Sequence, residues 1–310
     1  MIITSILLVV VGFTLITFGA NWLTNGASAI AKRLHISEFI IGMTIVAVGT
    51  SLPELTVSLA SAFSGSADMA IGNVVGSNIF NTLFILGICA LFSPVVFSRN
   101  NIRIDTPICI LVSLTILVML IGGTISRIEG IILLLLYIVA MFISFKTNKP
   151  EENDEEDNDE KFSWVKSLLM LIGGLVALIY GADTTLNSAV EIARHFHISE
   201  RIIAITLLAG GTSLPELAAS LTAAAKGRGA LALGNIIGSN IANILLILGS
   251  CSTILPLTMN GITTIDLLVM VGSSVLLLLS ALLYGQRRIT RAEGVIFLAA
   301  YIGYIYYLIG

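Results

Sequence analysis

Residues 49–55 of this 310-residue chain read GTSLPEL, and residues 211–217 read GTSLPEL again. A second motif follows each copy: residues 72–79 read GNVVGSNI, and residues 234–241 read GNIIGSNI. Both pairs are separated by 162 positions, and 27 of the 47 residues in 35–81 are identical at that offset. The chain therefore contains an internal duplication, and the two motifs mark its core.

The composition is that of an integral membrane protein. Apolar residues make up 56% of the chain and charged residues only 11%, against about 25% charged residues in an ordinary soluble domain. Eight of the 19 acidic residues lie in one run at 151–160. These features exclude a soluble enzyme and a disordered chain. A net charge of −3 without a basic patch argues against nucleic-acid binding, and three isolated cysteines predict neither disulfides nor a zinc site.

Ten segments are apolar enough, over about 20 residues or more, to span a bilayer. They lie at 2–31, 37–64, 69–92, 104–122, 127–146, 163–193, 199–225, 231–255, 264–284 and 290–309. No basic residue precedes Lys32, so the first segment is interpreted as a retained helix and not as a signal peptide. The predicted fold is all-α and integral to the membrane, with helices two and seven broken at Pro53 and Pro215.

The repeats have five helices each: 1–146 form the first, 147–162 an acidic linker, and 163–310 the second. Because five is odd, the two repeats must cross the membrane in opposite directions. With the N-terminus outside, only Arg127, Arg194 and Arg201 of the 16 Lys and Arg residues lie in outer loops, which leaves 13 inside. This predicts a multi-pass protein of the cell (inner) membrane with both termini outside and the linker in the cytoplasm. Inverted repeats are typical of secondary transporters, which bind substrate near the membrane midplane.

The candidate site begins on one helix face, because its first four residues are spaced 0, 3, 4 and 7: Ala47, Thr50, Ser51 and Glu54. Pro53 has no N–H to donate, and Gly49 adds backbone freedom, so the turn from 47 to 51 is expected to open. Its carbonyl oxygens would then be unpaired, which a membrane protein tolerates only inside the protein or along a cavity. A cation is a natural partner for such oxygens.

The next predicted helix adds a second stripe, Asn73, Ser77 and Asn81, spaced i, i+4 and i+8. The second repeat supplies the same set: Ala209, Thr212, Ser213, Glu216, Asn235, Ser239 and Asn243. All of these ligands are hard oxygens, which suit calcium or sodium, whereas transition metals favour imidazole or thiolate. Two glutamates at matched positions inside apolar spans indicate a functional site.

Other polar residues have simpler interpretations. Asn73 and Asn235 are explained equally well as hydrogen bonds between helices. Asn78 and Asn240 lie off the stripe, so packing is expected for them. The acidic run lacks the glycine and the spacing of a calcium-binding loop, and it is interpreted as a solvated linker and not as a calcium sensor.

The two GTSLPE motifs and the two GNxxGSNI motifs, in halves of five spans, resemble the sodium/calcium exchanger (cation/calcium antiporter) superfamily, and most closely its compact prokaryotic members. The resemblance covers essentially the whole chain. It implies a core of spans two, three, seven and eight, with spans one and six lying across it and sliding. By motif position the implied ion ligands are Ala47, Thr50, Ser51, Glu54, Ser77, Asn81, Ala209, Thr212, Ser213, Glu216, Ser239 and Asn243. Calcium is expected at Glu54, Glu216, Thr50 and Thr212.

Two departures within that family bear on the coupling ion. Asn243 stands where some members, including the potassium-dependent exchangers and the archaeal prototype, carry Asp, and because Asn81 and Asn243 are both neutral here, the resemblance argues against potassium coupling. Ser77 and Ser239 stand where the proton-coupled branch typically carries an acid.

The expected function is antiport of sodium against calcium by alternating access, with calcium expelled. The alternatives are a proton- or potassium-coupled antiporter and, from a different class, a cation channel, which would need a continuous pore. No catalytic motif supports an enzyme. No cofactor, nucleic acid or obligate protein partner is expected, only the transported calcium and sodium ions and the lipid bilayer.

Overall fold

The computed structural model describes residues 2–148, 162–198, 209–259, 261–282 and 287–309. The described chain is helical apart from four two-residue strands. Its helices are α1 (Ile2–Leu34), α2 (Glu38–Thr50), α3 (Leu52–Phe63), α4 (Ala67–Phe92), α5 (Asn101–Leu120), α6 (Arg127–Thr147), α7 (Trp164–His195), α8 (Ala209–Gly211), α9 (Leu214–Ala225), α10 (Gly229–Ile254), α11 (Thr264–Leu282) and α12 (Arg291–Ile309). The strands are β1 (Val95–Val96), β2 (Thr124–Ile125), β3 (Leu257–Thr258) and β4 (Arg288–Ile289).

Within the described ranges, seven helices are long and apolar enough to cross a membrane, and the bent pair α2–α3 makes an eighth span. The predicted count of ten also needs α12 and the predicted span 199–225, of which the structure describes 209–225. The ten-helix count therefore stays a prediction. The break expected in the second span is present, since α2 and α3 meet at an angle of 44°.

Local sequence explains where several helices begin and end. The Ser126 side chain accepts a hydrogen bond from the Glu129 backbone N–H, while the Glu129 carboxylate accepts one from the Ser126 N–H, which forms a capping box at the start of α6. Thr290 N–H donates to the Glu293 carboxylate in the same way at the start of α12. At the end of α1, His35 adopts a positive φ of 52°, and the Ile36 N–H closes the helix on the carbonyl of Ala31.

Helices α1 and α7 pack against each other along most of their length through glycines. A Cβ atom added to Gly19 would lie 2.7 Å from the Gly174 carbonyl oxygen, and one added to Gly26 would lie 2.6 Å from the Leu171 backbone nitrogen. Because Gly12 faces Gly181 at the other end, the two helices are antiparallel. With 33 residues α1 is about 50 Å long, which exceeds the roughly 30 Å hydrocarbon core of a bilayer, so it cannot cross upright without overhanging.

Two short antiparallel ribbons join the halves of the molecule. Strand β1 pairs with β4, and β2 pairs with β3. Since β1 precedes α5 and β2 follows it, the two ribbons lie at opposite ends of α5. Helix α11, which follows β3, therefore begins at the end of the molecule where α5 finishes. The equivalent helices α5 and α11 consequently run in opposite directions, as an inverted repeat requires.

The centre of the molecule is formed by α4 and α10. These two are the most buried of the long apolar helices. Each changes from α-helical to π-helical pitch near its middle, at Phe80–Ile85 and at Ala242–Leu248. Such wide turns are frequent at functional sites, and here each contains one of the stripe asparagines, Asn81 or Asn243.

Candidate cation-binding site

The first GTSLPEL motif forms the joint between α2 and α3. Pro53 lies in the first turn of α3, where its missing N–H is tolerated. Glu54 lies in the same turn and is fully buried. The second copy is arranged alike, with Pro215 and a fully buried Glu216 in the first turn of α9. Both carboxylates thus lie in the first turn of a helix, where the free backbone N–H groups make the helix end positive.

The expected opening of the turn from Ala47 to Ser51 is confirmed as a 44° bend after Thr50, but the expectation that it frees the carbonyls of Ala47 and Ser51 is wrong. The Ala47 carbonyl is paired, because the Ser51 N–H donates to it at 3.0 Å, and the Ser51 carbonyl accepts the Leu55 N–H, also at 3.0 Å. The proline withdraws only the donor that would pair with the residue four positions earlier, Gly49. The widened turn lies upstream instead, as a π-helical segment at Gly42–Val46.

Each glutamate is bonded to the serine of the other motif. Ser51 Oγ donates to Glu216 Oε1 at 2.8 Å, and Ser213 Oγ donates to Glu54 Oε1 at 2.8 Å. Ser213 Oγ also lies 3.1 Å from Ser77 Oγ. The two copies of GTSLPEL, 162 residues apart in sequence, therefore meet at the centre of the molecule.

The threonines and the first stripe asparagines form a second layer of crossed contacts. Thr50 Oγ1 donates to Asn235 Oδ1 at 3.2 Å, and Thr212 Oγ1 donates to Asn73 Oδ1 at 3.4 Å. The Asn73 amide in turn donates to the Glu54 carbonyl at 3.2 Å, and the Asn235 amide donates to Ser220 Oγ at 2.9 Å. Asn73 and Asn235 thus link neighbouring helices, which was one of their two predicted interpretations.

Four carboxamides form a third layer, deeper in the core. Asn81 Nδ2 donates to Asn240 Oδ1 at 3.2 Å, and Asn243 Nδ2 donates to Asn78 Oδ1 at 3.0 Å. The amide of Asn78 donates to the Asn240 backbone carbonyl at 3.1 Å, and that of Asn240 donates to Thr82 Oγ1 at 2.7 Å. Packing was the role predicted for Asn78 and Asn240; they are buried, and they also make these bonds between repeats. The prediction missed the bonds because a single helix face says nothing about contacts across the core.

Several oxygens of these residues accept no hydrogen bond, and these are the atoms that could bind a cation. In the described part of the chain, five buried side-chain oxygens of the predicted ligand set have no hydrogen-bond partner: Glu54 Oε2, Glu216 Oε2, Asn81 Oδ1, Asn243 Oδ1 and Ser239 Oγ. Leaving a buried acceptor unpaired is costly. Carboxylate and carboxamide oxygens that are unpaired in matched pairs provide the coordination that a hard cation needs.

In the part of the chain that the structure describes, the two glutamates have no positively charged partner. Among the residues that the structure describes, neither Glu54 nor Glu216 forms an ion pair or a hydrogen bond with Lys, Arg or His. The same residues contain no cluster of three or more His, Cys, Asp or Glu. Ala209 belongs to α8, but its side chain lies outside the described part of the chain. The other eleven predicted ligands take part in, or directly adjoin, the three layers between α2–α3, α4, α8–α9 and α10.

Comparison with known proteins identifies the family of the chain. The family described as sodium/calcium exchanger protein matches residues 4–146 and 166–310. The chain is 40% identical to the putative antiporter CaxA of Alkalimonas amylolytica, over 99% of both proteins. It is 31% identical to the sodium/calcium exchanger MaX1 of Methanosarcina acetivorans, over 98% of both.

Solved structures of the sodium-calcium exchanger NCX_Mj share the fold. The structure of that protein soaked with zero Na⁺ and Ca²⁺ is 35% identical in sequence and has a TM-score of 0.88, covering 99% of this chain and 100% of the other. The structure soaked with both ions has a TM-score of 0.87 at 35% identity, with 98% of each chain covered.

Proposed function

This chain belongs to the sodium/calcium exchanger family and is a cation/calcium antiporter of the membrane; we propose that it exchanges sodium for calcium at the site between Glu54 and Glu216. The observation that carries the proposal is the set of unpaired buried oxygens, one from each glutamate and one from each of Asn81 and Asn243. Calcium takes six to eight oxygen ligands in a flexible shell. The serines and threonines of both motifs lie within reach to complete that shell.

The charge of the site predicts the electrical consequence of sodium coupling. With neutral asparagine at 81 and 243, the site has two formal negative charges, from Glu54 and Glu216. One calcium ion neutralises them, whereas three sodium ions would leave a charge of plus one. An exchange of three for one would therefore move net charge, and a negative-inside potential of 100 mV would contribute about 2.3 kcal/mol per charge to calcium expulsion.

The proposed architecture is a pair of inverted repeats, 1–146 and 163–310, joined by the acidic linker 147–162. The opposite directions of α5 and α11, the antiparallel pair α1 and α7, and the crossed contacts of the two motifs support it. Alternating access would then be a rearrangement of the α1–α7 pair against the core that contains the site.

The experiment is flux into proteoliposomes that contain the purified protein. ⁴⁵Ca²⁺ uptake is measured with a sodium, a potassium or a proton gradient imposed one at a time and with the membrane potential clamped. We expect the outward sodium gradient alone to drive calcium above equilibrium, and the rate to change with voltage. Uptake driven by the pH gradient alone would identify the proton as the coupling ion in place of sodium. A strict need for potassium would identify potassium. Calcium movement that never exceeds equilibrium under any gradient would indicate a channel.

A further inference from the structure

In the third layer, each of the two innermost ligand asparagines, Asn81 and Asn243, is held by a hydrogen bond to an asparagine of the other repeat. These two partner residues, the anchors Asn240 and Asn78, are not among the predicted ligands. Asn81 is bonded to Asn240 at 3.2 Å, and Asn243 is bonded to Asn78 at 3.0 Å. All four side chains are at most 2% exposed to solvent. No hydrogen bond joins Asn81 to Asn78, or Asn243 to Asn240, within the described residues. The anchoring is therefore entirely between repeats.

A carboxamide can present either its oxygen or its NH₂ group to a neighbour, and only the oxygen binds a cation. Asn78 and Asn240 decide between the two, because each offers an acceptor oxygen that an NH₂ group must face. The Nδ2 atoms of Asn81 and Asn243 are used in these bonds, and their Oδ1 atoms are left without a partner. Without the anchors, either carboxamide could turn its NH₂ group towards the cation and repel it.

The anchors are themselves fixed. Asn78 donates to the Asn240 backbone carbonyl at 3.1 Å, and Asn240 donates to Thr82 Oγ1 at 2.7 Å. Each anchor thus gives its own NH₂ group to a different atom of the other repeat and keeps its oxygen for the NH₂ group of Asn243 or Asn81. The Asn240 backbone carbonyl can only accept, which fixes the orientation of Asn78, and Thr82 Oγ1 is the acceptor that holds Asn240.

We propose that Asn78 and Asn240 are positioning residues that orient the carboxamide oxygens of Asn243 and Asn81, respectively, and so set the cation affinity of the site. This inference rests on the proposed function, because it assigns a role at the same site. It also gives α4 and α10 a shared function: neither repeat can orient its own innermost ligand without the other.

The test is a set of double-mutant cycles on equilibrium binding of ⁴⁵Ca²⁺, or of ²²Na⁺, to the purified full-length protein. Asn240→Ala and Asn81→Ala are made singly and together, and so are Asn78→Ala and Asn243→Ala. We expect each anchor variant to weaken binding about five- to tenfold, the size of one lost hydrogen bond at a buried group. Since an anchor acts only through its partner, each double variant should bind no more weakly than the ligand variant alone.

The matched controls are the pairs within one repeat, Asn78→Ala with Asn81→Ala and Asn240→Ala with Asn243→Ala. No hydrogen bond joins the two residues of either control pair within the described residues, so their effects should multiply. A merely structural role would give the same coupling in both kinds of pair. If an anchor variant is not recovered as folded protein, Thr82→Val takes its place, because it removes only the hydroxyl that fixes Asn240; we expect about two- to fivefold weaker binding, lost when Asn81 is already alanine.

The outcomes separate this inference from the proposed function. Effects that multiply between repeats, or anchor variants that bind like the wild type, overturn the positioning role while wild-type exchange stands. Wild-type protein that binds neither ion overturns both.

Discussion

In each of the two buried glutamates, one carboxylate oxygen is hydrogen-bonded within the protein (the satisfied oxygen) and the other is not (the reserved oxygen). The satisfied oxygen accepts a serine hydroxyl from the other repeat at 2.8 Å, and the reserved oxygen has no partner among the described residues. The serine bond fixes the direction of the carboxylate, because a charge-assisted hydrogen bond is both short and directional. In the proposed function, a cation would meet an oxygen that is already directed at it, which would reduce the ordering that binding requires.

Removing either serine hydroxyl should weaken calcium binding without removing the charge of the site. We expect Ser51→Ala and Ser213→Ala each to raise the half-saturating calcium concentration about tenfold, since a hydrogen bond to a charged group is worth about 1.5–3 kcal/mol and part of it is recovered by water. The measurement is initial ⁴⁵Ca²⁺ flux against calcium concentration. Ser64→Ala, at an exposed serine outside the site, is the control. Unchanged half-saturation in both variants would show that the serines do not direct the carboxylates.

The sequence predicted the glutamates and the motif serines because both repeats place them at identical positions, and intramembrane charge is too costly to be accidental. It did not predict the anchoring of Asn81 by Asn240. The spacing rule assumes 3.6 residues per turn, whereas Asn81 lies in a π-helical segment. Contacts between residues about 160 apart, moreover, leave no periodic signal in a single sequence.

At the scale of the helices, α1 is tied to the core at one end by two cations. Lys226 Nζ donates to Asn25 Oδ1 at 2.8 Å, and Arg228 Nη1 donates to the Thr24 carbonyl at 3.0 Å. Arg228 also lies 3.9 Å from Glu38 at the start of α2. The positions that correspond to 226 and 228 in the first repeat are Ser64 and Ser66. The tie is thus specific to one end of the molecule and should favour one access state over the other.

Replacing both cations by the residues of the first repeat should release that end of α1. We expect the double variant Lys226→Ser with Arg228→Ser to shift the equilibrium between the two access states by a few-fold, because surface contacts of charged side chains contribute about 1 kcal/mol or less. Half-saturating calcium should change in opposite directions when it is measured from the face that contains residues 226–228 and from the opposite face. Lys146→Ser is the control for lost charge. An equal change from both faces would mean that the tie does not distinguish the access states.

The close packing of α1 and α7 makes a second prediction about helices. A Cβ atom at Gly19 would lie 2.7 Å from the Leu178 backbone nitrogen, so α1 would have to move. At Gly272 no described atom lies within 4 Å of such a Cβ. Alanine favours a helix over glycine by about 1 kcal/mol, yet overpacking costs about 1–3 kcal/mol. We therefore expect Gly19→Ala to lower the thermal unfolding midpoint in detergent and Gly272→Ala to leave it equal or higher. The reverse order would contradict the packing described for α1 and α7.

Most helix bounds could be predicted from the sequence, since long apolar runs and capping residues such as Ser126 are local signals. The position of the π-helical turn in α2 could not be predicted from the sequence. Proline indicated a break near Pro53, but the π-helical turn lies at Gly42–Val46, where the glycines of α10 approach. A Cβ atom at Gly42 would lie 3.1 Å from the Asn235 nitrogen. That approach is a tertiary contact and leaves no trace in the local sequence.

At the scale of the molecule, two ribbons lie at opposite ends of α5, and the equivalent helices α5 and α11 run in opposite directions. The duplication could be predicted because 27 of 47 positions are identical at one offset, whereas the inversion of the whole repeats stays a prediction from an odd number of helices and the distribution of basic residues. The crossed hydrogen bonds between the repeats could not be predicted, because pairing across a pseudo-twofold axis depends on the packed geometry.

The basic residues make a prediction about topology. We expect both termini outside and the linker in the cytoplasm, because 13 of 16 Lys and Arg residues then lie inside. Single cysteines introduced at Asn158 and Gly310, in a background without Cys89, Cys109 and Cys251, are labelled with an impermeant thiol reagent in intact cells. Only the cysteine at 310 should react before the cells are opened. Labelling at 158 in intact cells would show that the protein has the opposite orientation in the membrane.

The central claim is that Glu54 and Glu216 together bind the transported calcium, and sodium-driven ⁴⁵Ca²⁺ flux in proteoliposomes with one glutamate neutralised tests it most directly. Glu54→Gln and Glu216→Gln each leave one negative charge against a divalent ion in a site where unbalanced charge is costly. Glu191→Gln is the matched control, since Glu191 accepts a hydrogen bond from Ser5 at 2.8 Å outside the site. We predict that both site variants insert, fold and lose calcium flux, while the control keeps it. Near-normal flux in a folded Glu54→Gln or Glu216→Gln protein would contradict the account.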